Sequence, residues 1–230
     1  MPDERCYRHE LKYSVSFADY VSMRPRLKAV MSSDPHADTD GRYLVRSIYF
    51  DNSDDKVLRE KIDGVNNREK FRLRYYNDAL SFITLEKKTK NNRLCTKESV
   101  VISEEEFRRI LNGDTHFMRD HDADLIREFY AKMNYQRLKP RLMVSYVREP
   151  YIYSAGNVRV TFDSGIRTSL FDCEFIDRDM SNISATDSPG DIVLEIKYDA
   201  FLPEIIQDIV QVPMLRQQAF SKYGVSRRFG

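Results

Sequence analysis

Arg68-Glu69-Lys70-Phe71-Arg72-Leu73-Arg74 sets a cation at every second position, and Tyr75 continues the intervening series. Successive side chains of a β-strand point to opposite faces, so Arg68, Lys70, Arg72 and Arg74 line one side while Phe71, Leu73 and Tyr75 line the other. An isolated strand of this kind normally turns its charges to water. Here the pattern recurs. Val193-Leu194-Glu195-Ile196-Lys197-Tyr198 sets Glu195 and Lys197 against Leu194, Ile196 and Tyr198, and Arg8, Glu10 and Lys12 oppose Leu11 and Tyr13. Glu86 and Lys88 oppose Ile83 and Leu85; Arg159, Thr161 and Asp163 oppose Val158, Val160 and Phe162. Lys97 opposes Leu94 and Val100, with the alternation slipping near Thr96. Repetition in most of the strands predicts a closed, charged interior built to hold a polyanion.

Outward from this core, residues 7–15 read as a strand, and Ser16 caps an amphipathic helix over 17–31. A polar segment, 32–41, leads to a strand at 43–51, after which Ser53 and Asp54 open a short helix ending near Gly64. Strands at 68–76, 81–89 and 94–102 are separated by Asn77-Asp78 and Asn91-Asn92, side chains suited to tight turns, so consecutive antiparallel pairing is expected. Ser103 and Glu106 form a capping box for a helix to about 112, and 122–135 has the 3.6-residue apolar period of another. Strands follow at 141–148, 158–163 and 192–199, with a weaker one at 170–176, a loop at 180–190, and helical segments at 203–210 and 214–223. The fold class expected is α+β, mainly β: an antiparallel eight-stranded barrel with helices packed outside, as one domain over 1–230.

Charged residues make up 32% of the chain, yet 37 basic residues against 36 acidic ones leave a net charge of only +1, which argues against a bulk polycation that coats nucleic acid. An anion site must come from local segregation of charge. Cys6, Cys95 and Cys173 are widely spaced, so neither a zinc site nor a disulfide framework is indicated and a reducing cytoplasm is expected. No run approaches the roughly 20 apolar residues that span a bilayer, and no signal-type stretch opens the sequence, so a soluble chain is expected. His9, His36, His116 and His121 lack metal-like spacing. Tyr and Phe sit mostly opposite the charges, which reads as packing under helices and not as a base-stacking platform for RNA or DNA.

Burying many charges costs several kcal/mol per unpaired ion, so the pattern calls for a wet cavity or a polyanionic ligand. Phosphoryl transfer fits: its transition state spreads negative charge over phosphoryl oxygens and is stabilised by Lys, Arg and a divalent metal. Glutamates among the cations suit Mg²⁺ or Mn²⁺, which take hard oxygen ligands.

Arg8-His9-Glu10-Leu11-Lys12-Tyr13, Ser47-Ile48-Tyr49-Phe50-Asp51, Lys70-Phe71-Arg72-Leu73-Arg74, Glu86-Lys87-Lys88-Thr89, Arg159-Val160-Thr161-Phe162-Asp163, Leu194-Glu195-Ile196-Lys197-Tyr198 and Ser221-Lys222-Tyr223, in this order, resemble the VTC domain. This is the polyphosphate polymerase branch of the triphosphate tunnel metalloenzymes, within the CYTH superfamily. The resemblance implies an eight-stranded antiparallel tunnel whose basic interior grips the triphosphate of ATP and threads inorganic polyphosphate. It implies phosphate contacts, and a catalytic role, for Lys12, Arg72, Arg74, Lys88, Arg148, Arg159 and Lys222, with Ser221 beside Lys222. Lys97, Lys197 and Arg8 are further phosphate-binding candidates, and Glu195 with Glu10 would hold the Mn²⁺ or Mg²⁺. Glu195 is open to a second reading, as a salt-bridge partner of Arg72 or Arg74.

Hydrolytic relatives open with Glu-x-Glu-x-Lys, whereas Arg8 stands at the first of those positions. A hydrolase must orient and deprotonate water, for which extra carboxylates near the metal help; a phosphate acceptor is already anionic and needs no general base. The expectation is therefore a metal-dependent polyphosphate polymerase that moves the γ-phosphoryl of ATP to polyphosphate and releases ADP. The alternatives are a tripolyphosphate or nucleoside triphosphate hydrolase, and a non-catalytic polyphosphate-binding module. Without a span of its own, such a chain would need a membrane-protein partner, of unknown identity, to couple synthesis to translocation.

Overall fold

The computed structural model of the protein describes residues 9–91, 94–170, 183–184, 192–211 and 221–227. Along the chain run β1 (His9–Val15), α1 (Phe17–Val30), β2 (Ser32–Ser33), β3 (Tyr43–Asp51), α2 (Lys56–Ile62), β4 (Asn67–Tyr76), β5 (Ala79–Asn91) and β6 (Leu94–Ile102). They are followed by α3 (Glu104–Leu111), α4 (Asp124–Tyr135), β7 (Lys139–Tyr153), β8 (Val158–Leu170), β9 (Ile183–Ser184), β10 (Ile192–Tyr198), α5 (Glu204–Val210) and α6 (Lys222–Ser226). The fold is mainly antiparallel β, with helices on one side of each group of strands, as the alternation of charge and grease predicts. Two compact units result.

The first unit gathers the described residues within Met1–Leu44, Tyr146–Ile166 and Thr186–Ser221. Its strands follow the order β1-β10-β8-β7, with β2 added to β7. Antiparallel register places Leu11, Ile196 and Val160 in one row and Tyr13, Leu194 and Phe162 in the next. These side chains meet Tyr20, Met23 and Leu27 of α1 and Ile206, Ile209 and Val210 of α5 in one apolar core. Tyr20 sets its edge against Phe162, with centroids 5.0 Å apart. The alternate rows, Lys12–Glu195–Thr161 and Glu10–Lys197–Arg159, point away from that core.

Ser16 caps α1 as expected, through a reciprocal box with Asp19. A buried carboxylate fixes the helix to its sheet: Glu149 accepts hydrogen bonds from Tyr20 Oη at 2.6 Å and Arg24 Nε at 2.7 Å, and from Tyr151 Oη. Gly156 is obligatory in this unit. Its φ is +73°, and a Cβ there would lie 2.5 Å from the Phe201 carbonyl oxygen.

The second unit takes the described residues within Val45–Ser145, Arg167–Ala185 and Lys222–Gly230. Its strand order is β3-β4-β5-β6, and β9 pairs with β8 through Arg167–Ser184 and Thr168–Ile183. Ile48, Leu73 and Leu85 share a row that faces Phe107 and Ile110 of α3 and Ile126 and Phe129 of α4 in a second core. Phe129 stacks on Phe71 and meets Phe50 edge-on, both at 4.9 Å between centroids. Asn77 and Asp78 both have positive φ, 49° and 55°, as a two-residue hairpin turn requires.

Four expectations change. The β5–β6 register is continuous from Ile83–Ile102 to Asn91–Leu94, so no slip occurs at Thr96 and Lys97 faces fully with Lys88. Neither Ser53 nor Asp54 opens α2; Asp51 and Asn52 accept its first backbone N–H groups instead. The strand expected over 141–148 extends to Lys139–Tyr153, and in its added C-terminal part Tyr151 and Ile152 pair with β2. Within the loop expected over 180–190, Ile183 and Ser184 form β9. Residues 171–176 of the weak strand, 214–220 of the last helical segment, and Cys6, Arg8 and Cys173 lie outside the described residues.

Candidate functional site

Each unit carries a charged sheet face opposite its core. In the second unit that face bears Arg68, Lys70, Arg72 and Arg74 on β4, Glu86, Lys88 and Lys90 on β5, and Lys97 on β6. Register makes one row of Lys70, Lys88 and Lys97, three like charges side by side on adjacent strands. Like charges so placed repel one another, and an anion lying across them relieves the repulsion. On the helix side Lys87 bonds Glu128 at 2.6 Å, and Glu69 pairs with Lys132.

Glu86 is the buried carboxylate beneath these cations. Arg72 Nε donates to it at 2.7 Å, Lys97 Nζ lies at 2.8 Å and Arg74 Nη1 at 3.7 Å. Burial would raise its carboxyl, but Arg72 and Arg74, then Lys97, outweigh burial and hold it well below the usual carboxylate range. Arg74 also donates to Ser47 Oγ at 3.3 Å, and Arg72 Nη1 to Tyr49 Oη at 3.0 Å. Lys70 and Arg72 lie over the Tyr49 ring at 5.6 and 5.8 Å. Burial opposes ionisation of the Tyr49 phenol; Arg72, Lys70 and Arg74 prevail and bring it down to about 7. Lys222 opens α6, and its neighbour Tyr223 packs on Tyr49 at 5.3 Å and donates to Asp51.

In the first unit Glu195 is the buried carboxylate. Lys197 Nζ lies 2.8 Å from it, Arg148 Nη2 3.2 Å and Lys12 Nζ 4.0 Å, and Lys12 reaches Glu10 at 3.1 Å. Burial would raise the Glu195 carboxyl; Lys12 and Lys197, helped by a hydrogen bond with Glu10 and by Arg148, keep it well below the carboxylate range. Burial pushes the Lys197 ammonium down to about 8 despite Glu195. Arg148 is spent largely on Asp163, which takes two bonds from its fork at 2.6 and 2.7 Å. Arg159 is in register with Lys197, yet its guanidinium goes to Asp34 at 2.6 Å and to Tyr43 Oη at 2.8 Å.

Of the residues expected from sequence, Glu10, Lys12, Arg148, Glu195 and Lys197 are thus linked in one unit, where Arg159 adjoins them in register. Arg72, Arg74 and Lys97 meet around Glu86 in the other, with Lys88 in the adjoining row. Ser221 immediately precedes α6 and is half-buried. Glu195 is ion-paired, with Lys12, Arg148 and Lys197, while the carboxylate beside Arg72 and Arg74 is Glu86. Glu86, Tyr49 and Asp163 are the members whose roles the sequence left unassigned. Their signal was parity: each stands an even number of residues from a charged or hydroxyl residue on its own strand.

Among the described residues no group of three or more His, Cys, Asp or Glu forms a metal cluster. Glu10 and Glu195 still suit a hard divalent cation. They offer oxygen donors alone, and Thr161 Oγ1, buried in the same row as Glu195, has no hydrogen-bond partner. The Lys12 ammonium lies between the two carboxylates, which marks that position as one that accepts positive charge.

The sequence profile described as the VTC domain matches residues 7–229. A solved protein of Pyrococcus horikoshii OT3 superposes with a TM-score of 0.50 at 13% identity, covering 97% of this chain and all of its own. A putative adenylate cyclase of Bacillus halodurans superposes with a TM-score of 0.51 at 15% identity, covering 89% of this chain and 91% of that one. No curated protein matches in sequence. These superpositions show that the chain shares its fold with both proteins. The chain belongs to the VTC domain family. No helix among the described residues is long and apolar enough to cross a membrane.

Proposed function

We propose that this protein is a metal-dependent polyphosphate polymerase that transfers the γ-phosphoryl of ATP to a growing inorganic polyphosphate chain and releases ADP. The reading is carried by the state of the two buried carboxylates. Glu86 and Glu195 are both held ionised by surrounding cations and both lie well below the usual carboxylate range. A carboxylate so stabilised is a poor proton acceptor, which favours an acceptor that is already anionic over a water that must be deprotonated. Arg8, where hydrolytic relatives carry a carboxylate, points the same way.

Superfamily members generally use divalent metals. Glu195 and Glu10 would hold Mn²⁺ or Mg²⁺, which supplies Lewis-acid stabilisation of phosphoryl oxygens when bound. Arg72, Arg74, Lys88 and Lys97 neutralise phosphate charge, as do Lys12, Arg148, Arg159 and Lys197 on the other unit; Lys222, Ser221 and Arg8 complete the proposed set. The protein works in the cytoplasm on ATP and polyphosphate, without nucleic acid. Incubation with ATP and Mn²⁺, followed by resolution of the products, tests this. Long-chain polyphosphate with ADP is expected. Free phosphate alone would make the protein a hydrolase, and tight polyphosphate binding without product a binding module.

A further inference from the structure

The charged face of the second unit does not stop at Arg74. Beyond it the hairpin presents an apolar ledge on the same side. Tyr76 and Phe82 stack with centroids 6.4 Å apart and planes 29° from parallel, and Phe82 is 52% exposed. Val101 is 57% exposed and pairs in register with Thr84, which on its other edge pairs with Arg74.

The ledge has a local cause. Tyr76 pairs with Ala79 across the Asn77-Asp78 turn, while Arg74 pairs with Thr84, so β5 carries extra residues between those two pairings. Ile83 enters the core and Leu80 packs on it, whereas Phe82 turns to the charged side. Large side chains this exposed cost free energy without a partner. Thr84 adds an independent sign of a missing ligand: it is 9% exposed, and its Oγ1 has no hydrogen-bond partner.

A ligand that covers the ledge and also reaches Arg74 and Arg72 must be flat and apolar at one end and polyanionic at the other. A bare polyphosphate offers nothing to the ledge. We propose that Tyr76, Phe82 and Val101 form the nucleoside subsite of a nucleoside triphosphate. The base stacks on the Phe82–Tyr76 pair, the sugar passes over the Thr84 hydroxyl, and the phosphates run onto Arg74 and Arg72. This deepens the proposed function and rests on its assignment of phosphate to those arginines. It also gives the substrate a direction, with the γ-phosphate towards the row of Lys70, Lys88 and Lys97.

Calorimetric titration of the full chain with ATP and with tripolyphosphate, in chelator so that nothing turns over, tests the subsite. Phe82→Ala should weaken ATP binding roughly tenfold and leave tripolyphosphate within twofold, since one base–aromatic stack is lost and no cation is touched. Val101→Ser, at a second exposed position, should show the same selectivity in a smaller measure. Equal effects on both ligands, or none on ATP, would overturn the subsite. So would a concentration-dependent dimer that Phe82→Ala abolishes while ATP affinity stays unchanged, because the ledge would then be covered by a second copy. Failure of the underlying phosphate reading has a different signature: Arg72→Ala would leave both ligands at wild-type affinity.

Discussion

Tyr49 shows how the charged face answers to pH. Its phenol accepts from Arg72 at 3.0 Å and titrates near 7, so above neutrality a phenolate competes with phosphate for that guanidinium. The ligand itself gains negative charge as pH rises, so the useful quantity is a difference between profiles. From pH 6 to 8.5, wild-type affinity for tripolyphosphate should fall relative to Tyr49→Phe, and parallel profiles would remove the phenolate from the account. Stability moves the other way. Tyr49 titrates near 7 and Lys197 near 8 when folded, against about 10 and 10.4 when unfolded. The unfolded chain therefore binds more protons across that window, and these groups make the anion-free protein more stable as pH rises from about 7 to 10. Glu195→Gln should abolish turnover through loss of the metal, leave tripolyphosphate affinity undiminished, and destabilise the free protein by about 3–5 kcal/mol, since its cations lose a buried partner. Unchanged turnover would remove the proposed metal role.

At the scale of elements, Asp51 does what the sequence left to Ser53 and Asp54. Its carboxylate accepts from Val57 N at 3.0 Å and Leu58 N at 3.3 Å at the start of α2, and from Tyr223 of α6. Asp51→Ala should cost about 2–4 kcal/mol, read as a lower urea midpoint, because several buried donors lose their acceptor together. A loss below 1 kcal/mol would mean that the caps are replaced locally. Strands and most helices were legible from periodicity, and the Ser16 and Ser103 boxes were legible because their partners stand three residues away. Asp51 was not, since its partners lie six and seven residues on and in a distant helix. The same limit explains the site. Which face each cation occupies followed from alternation alone, whereas the choice of Glu86 for Arg72 and of Asp163 for Arg148 depends on register between strands. Phe82 shares the parity of Thr84 and Glu86, so alternation alone places it on the charged side; its exposure and its stack on Tyr76 depend on the hairpin pairing, which the sequence did not show.

For the molecule as a whole, a net charge of +1 conceals faces of high local charge. Polyanion binding should therefore stabilise the protein strongly and in a salt-dependent way. Tripolyphosphate at about one hundred times its Kd adds about 2.7 kcal/mol, or roughly 5–10 °C in Tm for a domain of this size, and the shift should shrink between 50 mM and 500 mM salt. A shift indifferent to salt would point to binding away from these faces. One arrangement constrains the gene as much as the protein. Glu86, Lys87 and Lys88 are consecutive, yet Lys87 serves the helix side through Glu128 while its neighbours serve the ligand side. Gaining or losing one residue between Thr84 and Asn91, where the pairing with β4 is unbroken, would deliver the residues beyond it to the wrong face, whereas a change of two would restore the parity. The irregular stretch before Thr84, where β5 already carries more residues than β4, is the place in the strand where an odd change is absorbed.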